Sequence, residues 1–311
     1  MTIAGTICAS VSRSGRPRTL DGWLDDCAER YGGDRPLVIT DDVVLTYAEV
    51  ARQSRILADG LVSLGVRPGD RVGMLMANYP EFVAFKFAIA RTGAIAIPFN
   101  YLYRTDELGY VLEQSECSVL LTMTGFGGLD YLAMLDVIAP DWDRGAPWKH
   151  LRNVITLSTD GRLRDGALTL DGLVELGRAN PPGVASGAVH APTDIGDMLY
   201  TSGSTGSPKG VTVTHDAVLR TGYASALTRA YDDGRRILFS LPCYHMFGYV
   251  EGILSAMVVG GAVILQTSFS AEGGYLAGGI ERHRADDVLC VPTMAVAWWS
   301  RRHVTATTCP R

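Results

Sequence analysis

The sequence predicts an α/β protein built as two αβ subdomains with mostly parallel sheets. Three observations carry this. Between residues 71 and 157, short apolar runs alternate with segments of helical period, the pattern of strands covered by helices on both faces. A Gly/Ser/Thr-rich loop sits between two strand-like runs in the second half of the chain. With 311 residues, 47% hydrophobic and 20% charged, the chain has enough material for more than one core.

Taken in order, the first helix opens at Thr19 or Asp21. There Leu20, Trp23, Leu24, Cys27, Ala28 and Tyr31 recur at three and four, and Gly32-Gly33 ends the run. Residues 37–40 and 43–46 flank Asp41-Asp42 and read as a hairpin. Thr46 and Glu49 have capping-box spacing for a helix that stops at Gly65. Residues 71–76 form a buried strand, and Pro80 opens a helix lined by Phe82, Phe85, Ala88 and Ile89. Their spacing is that of core packing rather than of an acyl-binding stripe.

Strands are expected at 94–97, 119–122 and 154–157, with helices at 105–115 and 126–139. Residues 177–193 are rich in Pro, Gly and Ala, which makes them a connection between a first subdomain, 1–176, and a second, 194–299. In the second, a strand at 194–201 enters the Gly-rich loop and a β-branched run at 211–214 leaves it. A helix at 216–231, a strand at 236–241 and a strand from 287 turning into a helix at Pro292 complete the pattern. Residues 252–271 carry no charge and are long enough to span a bilayer. Gly260-Gly261 divides them, so a buried helix, a turn and a buried strand are expected instead of a transmembrane segment. Residues 300–311 have no helical period and read as an irregular tail.

Charge and cysteines exclude several function classes. A formal charge of −5 gives no electrostatic footprint for nucleic acid. Cys8, Cys27, Cys117, Cys243, Cys290 and Cys309 have neither C-x-x-C pairs nor zinc spacing, which suits reduced core thiols in a cytoplasmic protein. The mildly apolar residues 2–11 lack a basic n-region, so no signal peptide is expected.

The chemistry concentrates at residues 200–211, Tyr-Thr-Ser-Gly-Ser-Thr-Gly-Ser-Pro-Lys-Gly-Val. Glycines let a backbone approach closely, hydroxyls donate from several directions, and an ammonium offsets concentrated negative charge. Thr201, Ser202, Gly203, Ser204, Thr205, Gly206 and Lys209 are therefore the candidate phosphate-binding residues. The loop is not a Walker A loop, because Pro208 precedes Lys209 and a β-branched run replaces the helix. This stretch resembles the phosphate loop of the AMP-forming adenylate-forming enzymes: acyl-CoA synthetases, aryl-CoA ligases, luciferases and adenylation domains. Residues 45–100, including Gly65-Val66-Arg67-Pro68-Gly69-Asp70 and Arg91-Thr92-Gly93-Ala94, resemble the N-terminal part of the same family.

A second constellation is Pro242-Cys243-Tyr244-His245-Met246-Phe247-Gly248-Tyr249. It resembles the family segment bordering the carboxylate pocket, where Pro, two variable residues and His recur. The resemblance implies a catalytic role for His245 at the substrate carboxylate or acyl-adenylate. Phe247, Tyr249 and Val250 join His245 as candidates for the wall of the substrate pocket. It implies ATP, Mg2+ and coenzyme A as cofactors, with Thr201 contributing to the metal site, and a carboxylic acid, expected to be a fatty acid, as substrate.

The resemblance covers residues 23–298, the N-terminal domain of the adenylate-forming fold in incomplete form. Neither Tyr-Gly-x-Thr-Glu nor Tyr-x-x-Gly-Asp occurs, so the family's adenine and ribose contacts have no match here, and its C-terminal domain is expected to be absent. Two function classes follow: a truncated acyl-CoA synthetase completed by a separate chain, and an inactive remnant or ATP-binding module without turnover. A fatty acyl-AMP ligase loading a carrier protein is a further alternative.

Overall fold

The computed structural model describes residues 19–180, 183, 190–201, 207–267 and 275–300, without the side chains of 275–278 and 298–300. Helix α1, Leu20–Tyr31, is capped by the Thr19 hydroxyl, which accepts the Gly22 N–H at 3.3 Å. Strands β1, Pro36–Ile39, and β2, Val44–Thr46, form the expected antiparallel hairpin. The capping box forms: Thr46 Oγ1 accepts the Glu49 N–H, Glu49 Oε2 accepts the Thr46 N–H, and α2 runs Tyr47–Ser63. The strand-helix alternation follows with β3, Arg71–Leu75; α3, Pro80–Arg91; β4, Ile95–Pro98; α4, Thr105–Gln114; and β5, Val119–Met123.

The helix expected over 126–139 is shorter. Gly125–Phe126 (β6) pairs with Leu129–Asp130 (β7), and α5 spans only Tyr131–Ile138. The turn between them places Gly127 and Gly128 at φ 57° and 82°, left-handed values that a helix does not use. Asp130 then caps α5 by accepting the Ala133 N–H at 3.0 Å. Strand β8, Asn153–Leu157, is followed by β9, Leu168–Thr169, and α6, Leu170–Ala179, neither of which has a counterpart among the sequence expectations.

The remaining strands are β10, Ile195–Thr201; β11, Lys209–Thr214; β12, Arg236–Phe239; β13, Ala262–Leu265; and β14, Asp287–Val288. Helix α7 is His215–Thr228. Helix α8 joins Met246–Gly248, a π-helical Tyr249–Leu254 and Ser255–Val258, and α9, Tyr275–His283, and α10, Pro292–Ser300, close the list. No described helix is long and apolar enough to cross a membrane. The uncharged stretch from residue 252 divides, as expected, at Gly260 into helix and strand.

Two sheets organise these elements. One is seven-stranded, β11-β10-β4-β3-β5-β8-β9, and the other five-stranded, β14-β12-β13-β1-β2. Pairing is parallel except at the hairpins β1-β2 and β10-β11. The sheets are interleaved in sequence, so a division at 177–193 does not coincide with the division between them. β1 and β2 lie beside β13, while β10 and β11 lie beside β4.

Helix α3 contacts both β4 and β1, and every residue from Phe82 to Arg91 is buried. Burying Phe82, Phe85 and Phe87 contributes about 1.5–3 kcal/mol each, so this helix is the shared core of the two sheets. Any ligand site is then expected beyond the carboxyl ends of the parallel strands, where loops leave the core.

Candidate functional site

Strands β10 and β11 are joined at the end where Thr201 stands opposite Lys209 and Tyr200 opposite Gly210. The β-branched run Val211-Thr212-Val213-Thr214 favours the strand, and the Thr214 hydroxyl then accepts the Ala217 N–H at 3.2 Å to start α7. Both strands predicted to flank the loop are therefore present. Ser202, Gly203, Ser204, Thr205 and Gly206 lie outside the described residues. Thr201 and Lys209 are both exposed at the hairpin end.

Thr201, Ser207 and Pro208 form one wall of a cleft of about 700 Å³. The opposite walls come from Asn100 and Tyr103 after β4, Tyr110 on α4, and Tyr244 and His245 after β12. Asn100 and Tyr103 follow the carboxyl end of β4, and Tyr244 and His245 follow that of β12, where the parallel topology places ligand sites. Asp106 and Glu107 give the cleft an acidic rim. Burial pushes the Tyr200 and Tyr244 hydroxyls up to about 12, so at neutral pH both are uncharged phenols. Tyr244 is held edge-on against Tyr101, with ring centroids 5.3 Å apart.

His245 is exposed and caps the start of α8: its Nδ1 accepts the Phe247 N–H at 3.2 Å. An imidazole nitrogen that accepts carries no proton, so the neutral ring holds its hydrogen on Nε2. The side chain thus offers one N–H donor at the cleft, suited to a carboxylate or an acyl oxygen.

Residues 24–308 match the profile of the AMP-binding enzyme family. The chain belongs to that family. Among the similar proteins of this AMP-binding family is the mitochondrial medium-chain acyl-CoA ligase ACSF2 of Danio rerio. It is 27% identical over 287 residues, covering 89% of this chain and 47% of that protein. The feruloyl-CoA synthase of an Amycolatopsis species is 30% identical over 267 residues, covering 86% of this chain and 46% of its own. Among solved structures, the anthranilate CoA ligase AuaEII in complex with anthranoyl-AMP superposes with a TM-score of 0.78 at 22% identity. That match covers 90% of this chain and 51% of that one. Apo MbtA of Mycobacterium smegmatis gives 0.76 at 26% identity, covering 96% and 53%. The chain therefore spans about half the length of the relatives it matches.

Of the candidate phosphate-binding residues, the described ones supply one hydroxyl, Thr201, and one ammonium, Lys209, at the hairpin end. Among the described residues no group of three or more His, Cys, Asp or Glu is placed to hold a metal ion. Thr201 offers one hydroxyl, which suits a magnesium carried in by phosphate oxygens and holding only one or two protein ligands.

Of the sequence-predicted pocket wall, Phe247, Tyr249 and Val250 do not line the cleft. Phe247 is half-buried against the core, while Tyr249 and Val250 are buried within it. The Tyr249 ring lies 4.8 Å from the Lys86 ammonium, and that ammonium is 2.9 Å from an Asp197 oxygen. Lys86 and Asp197 are 2% and 0% exposed. Burial raises the Asp197 carboxyl, opposed by Lys86, and burial beside the Asp197 charge pushes the Tyr249 phenol well up.

This polar core was not anticipated from the sequence. The available signals were a lone lysine between Phe85 and Phe87 and a lone aspartate in an otherwise uncharged strand. Next to it His215, also buried, accepts the Leu20 N–H at 3.3 Å. Burial, then the Lys86 and His190 charges, lower its imidazole to about 4.

Proposed function

We propose that this chain forms the phosphate-holding and carboxylate-facing part of an ATP-dependent acid–thiol ligase. In that reaction a substrate carboxylate oxygen bonds to the α-phosphorus of ATP as the bond to pyrophosphate breaks. A thiol sulfur then attacks the acyl carbon and AMP leaves. The observation that carries the reading is that Thr201 at the hairpin end and His245 line one cleft, with Lys209 in register opposite Thr201.

Lys209 and the hydroxyls of the loop hold the charge of the departing pyrophosphate. Such fixed donors act where charge moves, which is the largest contribution in phosphoryl chemistry. The Nε2–H of His245 donates to the carboxylate and then to the acyl-adenylate. A magnesium bound with the nucleotide supplies further charge neutralisation. Coenzyme A is the acceptor in this reading, with a carrier-protein thiol as the alternative. A separate chain bringing the adenine and ribose contacts is part of the proposal, as is a cytoplasmic site. Three buried thiols, Cys27, Cys117 and Cys243, support the latter.

The substrate we propose is a fatty acid. An aromatic acid is the second reading, favoured by the tyrosines 103, 110, 200 and 244 that line the cleft and by the likeness to a feruloyl-CoA synthase. Pyrophosphate exchange on the purified chain, with ATP, magnesium and a panel of alkyl and aryl acids, separates these readings. Exchange that depends on an added acid is the expected result once a second chain supplies the adenine and ribose contacts, and little or none is expected of this chain alone. Calorimetric titration with ATP is the second measurement: Lys209→Ala should weaken binding about tenfold, the value of a charge-assisted bond. If the wild-type chain binds no ATP, the phosphate-grip reading fails. Binding without exchange, even with the second chain, leaves a nucleotide-binding module lacking turnover.

A further inference from the structure

Asn78 follows β3 of the seven-stranded sheet and is buried, yet its side chain bonds to segments that leave the other sheet. Its Nδ2 donates to the Leu241 carbonyl at 2.9 Å and to the Gln266 carbonyl at 3.0 Å. Its Oδ1 accepts the Cys243 N–H at 2.8 Å. Two carbonyl partners on one side and an N–H on the other fix which end of the carboxamide is nitrogen. The bonds to Leu241 and Cys243 straddle Pro242, so the backbone is held on both flanks of a residue whose own φ is locked.

From there the constraint passes to His245. The Pro242 carbonyl accepts the His245 N–H at 3.0 Å, and the His245 carbonyl accepts the Tyr249 N–H at 3.0 Å. The imidazole is then oriented by the Phe247 N–H. Gly248 closes the turn from beneath. A Cβ there would lie 2.4 Å from the Pro242 oxygen, so the turn has no room to relax. Asn78 does not line the cleft that His245 faces. Its influence on any ligand there is indirect.

We propose that Asn78 is a positioning residue for His245: by clamping Leu241 and Cys243 it sets the direction in which the imidazole Nε2–H meets the cleft. The inference rests on the reading of His245 as the carboxylate contact. It places one determinant of substrate recognition on the opposite sheet from the histidine it serves.

The test uses the full chain, isotopically labelled for NMR, with Asn78→Ala and Asn78→Ser. The serine variant keeps a donor and an acceptor on a shorter side chain and guards against failure of the alanine variant to fold. Tyr47→Phe is the control. It removes another buried bond across the molecule, from the Tyr47 hydroxyl to the Gly261 carbonyl at 2.8 Å, at the opposite end of β13. In the wild type, the His245 ring nitrogens should report one tautomer with the proton on Nε2.

In the Asn78 variants those signals should move toward the average of two tautomers. The Phe247 amide should exchange about tenfold faster relative to β3 amides, a local opening rather than a global one. Tyr47→Phe should leave both readouts at wild-type values. Unchanged ring signals and Phe247 exchange, in whichever Asn78 variant folds, would overturn the proposal. Titration with octanoate tests the underlying reading separately. If the wild-type His245 signals do not respond, the carboxylate role fails, and the tautomer result still decides what Asn78 does.

Discussion

Asp197 and Thr201 stand four residues apart on β10 in opposite surroundings. Asp197 is fully buried and ion-paired to Lys86, whereas Thr201 is exposed at the hairpin end and faces the cleft. A buried pair gains little net stability over apolar residues of the same shape, because desolvation offsets most of its attraction. Here the Lys86 ammonium lies 2.9 Å from an Asp197 oxygen and 4.8 Å from the Tyr249 ring centroid, so the buried charges face each other and an aromatic ring rather than water. The pair therefore fixes where β10 sits against α3, and the exposed end of the same strand is where we propose the phosphate is held. The difference teaches that burial and access to the cleft are separated along one strand.

Mutations at the two ends should behave accordingly. Lys86→Met, which leaves Asp197 without its cation, should cost about 3–5 kcal/mol in urea unfolding. Replacing both partners, Lys86→Met with Asp197→Leu, should recover most of that loss. A double variant as unstable as the single one would show that the pair is worth more than position.

The next largest effect is one of pH. Outside the fold the His215 imidazole takes a proton near 6.5, but in the buried site it resists protonation down to about 4. Protons then favour the unfolded chain between those values, so stability is complete above pH 6.5 and falls as the pH drops toward 4. The loss reaches up to roughly 3 kcal/mol. Urea midpoints across that range measure it, and His215→Asn should flatten the curve.

Gly248→Ala, which forces a Cβ toward the Pro242 oxygen, should cost about 1–3 kcal/mol and shift the His245 resonances. At the exposed end, Lys209→Ala should change stability by no more than about 0.5 kcal/mol. A large loss there would break the comparison, since it would make Lys209 structural.

The sequence made local structure legible wherever a short-range rule decides it. Thr46 and Glu49 announced the start of α2, and Asp41-Asp42 announced the first hairpin. The Pro-Lys-Gly of the loop pointed to the strand pair that carries Thr201 and Lys209. What escaped was decided by partners far along the chain. Tyr249 follows His245 closely and reads as a pocket wall, but Lys86 and Asp197 draw its ring into the core. The shortening of α5 lies between these cases, because Gly127-Gly128 marks a turn that the apolar period of 126–139 conceals. Asn78 gives no sign at all, since its three partners arrive more than a hundred and sixty residues later.

The interleaving of the two sheets also sets a timetable for synthesis. The hairpin of β1 and β2 emerges early, yet its neighbour β13 comes far later. The Tyr31 hydroxyl, just before that hairpin, bonds to a carbonyl 227 residues downstream. At translation rates of about 5–20 residues per second the wait is on the order of ten to forty seconds. Throughout that interval an apolar strand edge stays unpaired in a nascent chain whose other sheet has already begun to assemble. Contacts that close so long a loop slow folding in general. A ribosome-bound chain released before β13 emerges should hold a half-formed molecule that captures chaperones, and one released after it should not.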